Sequence, residues 1–261
     1  TLKEIMNDYN PQYTPDDLLT FYMVTGGVAK YAEQLVMQNA FTKEDIIRSV
    51  LGFGSYFINE GRDVLSDEFG KEYGNYFSVL SSIANGYTSR GDITNDTGVE
   101  SGGYLAKLET VYDLIERSKP YLSPEGTRNN RYYIKDNFMN FWFRFIYKYR
   151  SSIEFGNLEY VQQKVLADYE TYSGHILERY FRQKYQETGL YNIVTNYWEK
   201  GNTNEIDLIA VNEADKKVIV GECKRNHKRI SLNILQEKAA KLQAKQKKFA
   251  YNFVGLSLED M

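Results

Sequence analysis

The chain has 261 residues, 42% hydrophobic and 26% charged, which is enough apolar material for two or three cores, and its formal net charge is −3. The single cysteine, Cys223, excludes an internal disulfide and a multi-cysteine zinc site. With no run of about 18 apolar residues and no basic, hydrophobic leader, neither a membrane span nor a signal peptide is expected, and a cytoplasmic setting is the default.

The charge is unevenly spread: residues 212–248 hold eleven Lys or Arg against four Asp or Glu, so a basic stretch stands in an otherwise acidic chain. Aromatic residues make up 15% of the sequence, led by 23 Tyr, whose apolar body and polar tip suit half-buried helix faces and identify no function. The sequence opens at Thr1 in helical character, as expected of a fragment or a processed product.

Residues 14–24 read as a helix, with Thr14 as N-cap, Pro15 at the first helical position, and Asp16 and Asp17 in the first turn. Gly26 and Gly27 break it, and residues 28–37 resume with Tyr31 and Leu35 on one face. Thr42 caps a third helix expected to run to about Glu60, and residues 67–72 continue as an acidic helical segment.

Residues 77–84 form an amphipathic helix closed by Asn85 and Gly86, Asp92 opens another, and residues 104–117 place Leu105, Leu108, Tyr112 and Ile115 at helical spacing. Two short extended runs, 120–122 and 131–136, flank the Pro/Gly/Asn-rich turn 123–130. Three helices and a hairpin make a winged-helix pattern. Residues 138–149 are apolar nearly all round, so this aromatic helix is expected to be wedged between two domains, not exposed for base stacking.

The last third changes period. A helix at 169–185 precedes three strands, 191–198, 205–211 and 217–224, separated by turns at 201–204 and 212–215. A basic helix, about 233–247, and an apolar strand, 249–256, complete the order αβββαβ, with no internal repeat or low-complexity tract.

The chemistry concentrates in the second and third of these strands. Side chains alternate along a strand, so Asp207, Ile209 and Val211 share one face and Ile206, Leu208 and Ala210 the other, while Glu222 and Lys224 share a face with Cys223 opposite. Paired as a hairpin, the two strands bring Asp207 to Glu222 and Lys224. Mg²⁺ takes carboxylate oxygens and keeps several waters, and an ammonium beside it orients or deprotonates the attacking water and offsets developing phosphorane charge.

Glu178, late in the preceding helix, offers a third carboxylate, or else an i,i+4 pair with Arg182. Glu205 suits a supporting role; His175 and His227 lie in different segments and do not suggest a transition-metal site. A salt-bridged sheet edge without metal is the alternative for the whole cluster.

An acid on one strand and Glu222-Cys223-Lys224 on the next, fifteen residues on, resembles the PD-(D/E)XK nuclease superfamily. More specifically the chain resembles the C-terminal part of archaeal-type P-loop ATPases, related to the STAND and AAA+ groups, that carry a DUF234-type nuclease-like domain. Gly26-Gly27-Val28-Ala29-Lys30-Tyr31 is similar to that family's lid motif, with Ala29 where Pro is usual. Residues 132–145 are similar to its Y-x-I-x-D-x-F-x-x-F-W-x-R-F segment, and Trp198, residues 205–210 and residues 221–224 to its W…EIDLIA…GECK block.

The resemblance implies an ATPase module, a winged helix and a restriction-endonuclease-like domain in one polypeptide. No Gly-x-x-x-x-Gly-Lys-Ser/Thr occurs, so ATP binding and hydrolysis are expected only of a core preceding Thr1. The third winged-helix element begins with Glu100 and glycines and has no basic residue before Lys107, unlike a base-reading helix.

The reading is therefore an α/β, multi-domain chain: a helical ATPase-lid-like segment (1–72), a winged helix with its aromatic helix (73–150) and a restriction-endonuclease-like αβββαβ domain (151–261). The expected function is Mg²⁺-dependent phosphodiester hydrolysis. Asp207 and Glu222 would hold the metal, Lys224 would orient the water and Glu178 would assist. Arg128, Arg131, Lys135, Arg225, Lys228 and Arg229 are the candidate DNA contacts. The partners implied are DNA and the chain's own ATPase domain, with no membrane and with the oligomeric state open. An idle nuclease-like module of a signalling or defence ATPase is the alternative. A plain transcriptional regulator is disfavoured by the acidic helix start.

Overall fold

The structure, a computed structural model, describes residues 1–201 and 203–261, and the side chains of these other than 67 and 68. The predicted turn at 201–204 thus includes Asn202, which lies outside the described residues, as do the side chains of Asp67 and Glu68 in the predicted acidic segment. The chain forms two compact units: Thr1–Arg117 with Arg131–Tyr169, and Ser118–Asn130 with Glu170–Met261. The expected divisions at 72/73 and 150/151 both fall inside the first. Among the described residues no helix is long and apolar enough to cross a membrane.

Unit 1 begins with α1 (Leu2–Tyr9), α2 (Pro15–Thr25) and α3 (Ala29–Met37). The start of α2 is a reciprocal cap: Thr14 Oγ1 accepts from the Asp17 N–H at 3.2 Å, and the Asp17 carboxylate accepts from the Thr14 N–H at 2.8 Å. Leu18, Leu19, Phe21, Tyr22, Met23 and Val24 are all buried, so α2 is surrounded rather than one-sided. It stops at Gly26, whose φ of +57° favours glycine and where a Cβ would lie 3.2 Å from that of Asn137. Asn137 in turn donates to the Tyr22 carbonyl at 3.0 Å.

The helix expected from 42 to 60 is two: α4 (Lys43–Val50) and α5 (Tyr56–Phe69). Gly54, at φ +70°, turns the chain between them, a break that apolar spacing alone does not register. Next come α6 (Tyr73–Ala84), α7 (Arg90–Thr97), α8 (Gly102–Thr110) and a two-stranded sheet of β1 (Ile115–Ser118) and β2 (Arg131–Ile134).

The expected order of three helices and a small sheet holds, with a correction at its middle. The third helix ends at Thr110 instead of 117, and the first strand starts at Ile115 instead of 120. Asp113 takes φ +55°, a left-handed turn that Asp tolerates, and Leu114 N–H closes on Leu108 O at 2.9 Å, so Ile115 is buried on a strand.

The aromatic segment is α9 (Asn137–Phe141), running into a π-helical turn at Trp142–Tyr147. Phe138, Phe141, Trp142, Phe143, Phe145 and Ile146 are buried against α2, α5 and α6. Instead of a wedge between domains, it is the core of one unit. The indole N–H of Trp142 donates to Ile58 O at 3.0 Å, and its ring lies where a Cβ on Gly61 would fall, within 2.3 Å. Only glycine permits α5 to come that close.

After α10 (Arg150–Glu154), the 30-residue α11 (Leu158–Glu187) begins well ahead of the predicted 169, and from Glu170 onward belongs to unit 2. There β3 (Ile193–Tyr197), β4 (Ile206–Asn212), β5 (Lys217–Cys223), α12 (Leu232–Lys245) and β6 (Ala250–Leu256) realise the predicted αβββαβ order. The sheet runs β3-β4-β5-β6, with the first two pairings antiparallel and the last parallel. Ile209, Val211, Val218 and Val220 pack against Leu235, Ala239 and Leu242 of α12.

Strict alternation fails at one point. Thr195 pairs with Ile209 but Tyr197 with Ile206, so one strand carries an extra residue there, and Ile206 joins the cluster of Ile209 and Val211 instead of facing away from it.

Candidate active site

The extra residue of β4 falls between Ile206 and Ile209, the stretch that holds the predicted acid Asp207. Beyond the last β4–β5 pair, Leu208 with Gly221, the register sets Asp207 opposite Glu222. The backbone ladder stops there and side chains replace it. Asp207 Oδ2 accepts from the Cys223 N–H at 2.9 Å, and the Asp207 carbonyl accepts from Arg182 Nη1 at 2.8 Å.

Both acids are buried, at 8% and 7% exposure, against the tendency of carboxylates to stay in water. Lys224 answers them. Its Nζ lies 3.4 Å from Asp207 Oδ2 and 3.6 Å from Glu222 Oε1, and its position is fixed by its own N–H donating to Leu256 O of β6 at 3.0 Å. Asp207, Glu222 and Lys224 are thus brought together as the strand pattern predicts.

Glu178 on α11 is differently placed. Its Oε2 lies 3.8 Å from Arg182 and its Oε1 3.8 Å from His175, so the i,i+4 pair exists and the exposed His175 is a neighbour of the acid. It reaches Asp207 by its field. Burial, and then the Glu178 charge, push the Asp207 carboxyl up to about 6. Burial also works against Glu178 itself, but His175, Arg182 and Lys224 together hold its carboxyl below the ordinary range.

Lys224 is likewise drawn two ways. Burial disfavours its charge, and the Asp207, Glu222 and Glu178 carboxylates outweigh burial, so the ammonium is held more firmly than usual. A lysine in that state orients and stabilises negative charge; it does not deprotonate water near neutrality. Burial, and then the Asp207 and Glu178 carboxylates, raise the Cys223 thiol well above its usual value, which leaves it a poor nucleophile.

A third cation escaped the sequence reading. Lys238 Nζ, on α12, lies 3.3 Å from Glu222 Oε1. The available signal was its place beside the buried stripe of Leu235, Ala239 and Leu242, where a long side chain lies along the apolar face and carries its charge to the sheet end.

The six candidate DNA contacts fall in both units. In unit 1, Lys135 is paired with Asp113, and Arg131 is half-buried on β2. In unit 2, Arg128, Lys228 and Arg229 are exposed, whereas Arg225 donates to the buried Ser173 of α11 at 2.7 Å. Glu205 is half-buried just before β4, and His227 is exposed in the turn His227–Arg229. Glu100, ahead of α8, is paired with Arg90.

The donor set suits some metals and not others. Among the described residues no group of three or more His, Cys, Asp or Glu is placed to hold a metal ion. The pair Asp207 and Glu222 remains, and in each only one oxygen accepts hydrogen bonds from described residues, leaving Asp207 Oδ1 and Glu222 Oε2 uncommitted. Two carboxylates completed by waters are a ligand set that Mg²⁺ takes, whereas a structural zinc site is filled by protein nitrogen and sulfur.

The family model DUF234, described as "Archaea bacterial proteins of unknown function", matches residues 142–250, a region that includes Glu178, Asp207, Glu222 and Lys224. The uncharacterized protein MJECL04 of Methanocaldococcus jannaschii is 28% identical over 228 residues, which cover 84% of this chain and 50% of that protein. The chain therefore spans about half the length of this relative. No solved structure gives a significant match.

Proposed function

We propose that unit 2 is a Mg²⁺-assisted phosphodiesterase acting on DNA, with its site at the end of the β4–β5 hairpin. The observation that carries this reading is one ammonium shared by two buried, facing carboxylates, each with an oxygen left over. The αβββαβ order, with a parallel final strand and an acid on a bulged strand, supports the PD-(D/E)XK resemblance.

Asp207 and Glu222 would hold the ion. When bound, Mg²⁺ polarises a phosphoryl oxygen and lowers the pKa of a coordinated water. Lys224 Nζ, standing between the two acids, orients the attacking water and offsets charge gathering on the phosphoryl oxygens. Arg182 keeps Asp207 in place through its carbonyl, and Glu178 assists by its charge. For the whole protein, the ATPase core implied by the resemblance would control this site, with the winged-helix elements contributing to DNA binding.

One observation favours the idle-module reading instead. Glu178, Asp207 and Glu222 are matched by Arg182, Lys224 and Lys238, so the cluster balances its own charge as structural ion-pair networks do. Calorimetry with Mg²⁺ and Mn²⁺ separates the two. Metal binding by the wild type that Glu222→Gln removes, with cleavage of labelled DNA lost in Asp207→Ala and Glu222→Ala while circular dichroism shows the fold intact, is the expected result. Unchanged cleavage in both alanine variants rejects the residue assignment, and absence of metal binding with the acids intact supports the idle module.

A further inference from the structure

Unit 1 carries a second concentration of positive charge, remote in chemistry from the acid cluster. A cleft of about 290 Å³, open to solvent, is lined by Arg144, Lys148, Tyr149, Lys164 and Asp168 among others. Its charges do not cancel. Arg144 is committed, donating from Nε to Asp168 Oδ2 at 2.7 Å and from Nη1 to Ala84 O at 2.8 Å. Lys148 is held only by the neutral Asn85 Oδ1, at 2.8 Å, and neither it nor Lys164 has a carboxylate partner among the described residues. Arg150, exposed at the start of α10, donates to the Tyr147 carbonyl and adds a third uncompensated cation beside the cleft.

Each of these cations stands over a tyrosine ring. Arg150 Cζ is 4.5 Å from the Tyr147 centroid, Lys148 Nζ 5.7 Å from that of Tyr149, and Lys164 Nζ 5.0 Å from that of Tyr160. Three such pairs fall close together here, between residues 147 and 164. The rings of Tyr149 and Tyr160 meet edge to face at 6.1 Å, and Tyr160 is 38% exposed. A cation on an exposed ring gains less than a nucleobase stacked on it, so an arriving base displaces the ammonium from the ring and frees it to meet the adjoining phosphate.

From this juxtaposition we infer that Lys148, Tyr149, Arg150, Tyr160 and Lys164 bind single-stranded nucleic acid, with phosphates against the amines and guanidinium and unstacked bases on the Tyr149 and Tyr160 rings. Duplex is disfavoured because its bases offer no free face. The cleft, just below the roughly 300–1,000 Å³ of small-molecule pockets and open on one side, suits one unit of a polymer that continues across the surface. The inference does not depend on hydrolysis at Asp207 and extends to residues outside the six basic contacts predicted from sequence.

The test is fluorescence anisotropy of the whole chain in EDTA, which stops any metal-dependent cleavage, with labelled 15-nucleotide oligo(dT) and oligo(U), a 15-base-pair duplex, and inorganic polyphosphate as competitor. Both single strands are expected to bind more tightly than duplex. Lys148→Ala with Lys164→Ala should weaken binding at least tenfold and reduce the salt dependence by about 1.4 in log–log slope, two phosphates at roughly 0.7 each. Tyr160→Leu should weaken binding about fivefold or more without changing that slope, and Tyr160→Phe should restore it. Circular dichroism melting identical to wild type qualifies each variant, and the phenylalanine variant keeps the test decisive if leucine perturbs the helix. No binding by the wild type, duplex bound as tightly as single strand, an unaltered affinity in the lysine double variant, or an unaltered affinity in Tyr160→Leu would each overturn the proposal.

Discussion

In unit 1 the buried carboxylate of Glu60 accepts from Lys30 Nζ at 2.8 Å, from the Tyr31 hydroxyl at 3.3 Å, and from Tyr56. In unit 2 Asp207 and Glu222 face one another over a shared ammonium, and each keeps an oxygen uncommitted. The electrostatic results are opposite. Burial would raise the Glu60 carboxyl, yet Lys30 and the two tyrosines hold it below the ordinary value, while the Asp207 carboxyl is pushed up to about 6. An acid whose lone pairs are spent on fixed donors ties helices together; an acid kept short of donors is poised for something that arrives later.

The largest expected effect lies in unit 2. Glu222→Ala should lower Mg²⁺-dependent cleavage of labelled DNA at least about a hundredfold, the scale of losing a group that stabilises transition-state charge. A loss below tenfold would place Glu222 with Glu60 as scaffold.

Next comes packing in unit 1. Gly61→Ala drives a methyl into the Trp142 ring and should cost about 3 kcal/mol, near the upper end of overpacking penalties, read as a lower melting temperature. Glu60→Leu should cost about 1–2 kcal/mol, because the buried Tyr31 hydroxyl loses its acceptor while Lys30 turns to water. A neutral or stabilising outcome would mean that Glu60 too is held short of its needs.

The smallest effect is the one most particular to Asp207. Its folded-state pKa, raised from 3.8 to about 6, means that its contribution to stability is fully present below pH 4 and is lost as the pH rises through 6. In metal-free buffer, Asp207→Asn should therefore gain on the wild type between pH 4 and pH 7, by on the order of 1–2 kcal/mol, since the amide oxygen still accepts from Cys223 N–H. Denaturation curves at both pH values read the gap. A gap that closes with rising pH would mean that Lys224 outweighs burial at this acid.

Much of unit 2 was legible because strands announce themselves locally. The nearly continuous apolar runs in residues 206–211 and 218–220, together with the short polar turn between them, specify a hairpin and hence the meeting of Asp207, Glu222 and Lys224. What escaped depends on distant partners or single dihedrals. The β4 irregularity at Asp207 is defined by its pairing with β3, and Lys238 reaches Glu222 only because α12 lies on that sheet face. Asp113 and Gly54 bend the chain through positive φ values at positions where hydrophobic spacing continues undisturbed. The extra turn width at Trp142–Tyr147 is likewise set by what the aromatic rings pack against, not by their sequence order.

The parallel seam between β5 and β6 has a consequence in time. Ribosomes release residues 217–224 well before residues 250–256, and until those later residues emerge and dock, the Lys224 N–H has no Leu256 carbonyl to latch it. Nascent chains therefore display the acids before the lysine that joins them is set, and the hairpin end matures only after residues 250–256 have emerged and docked.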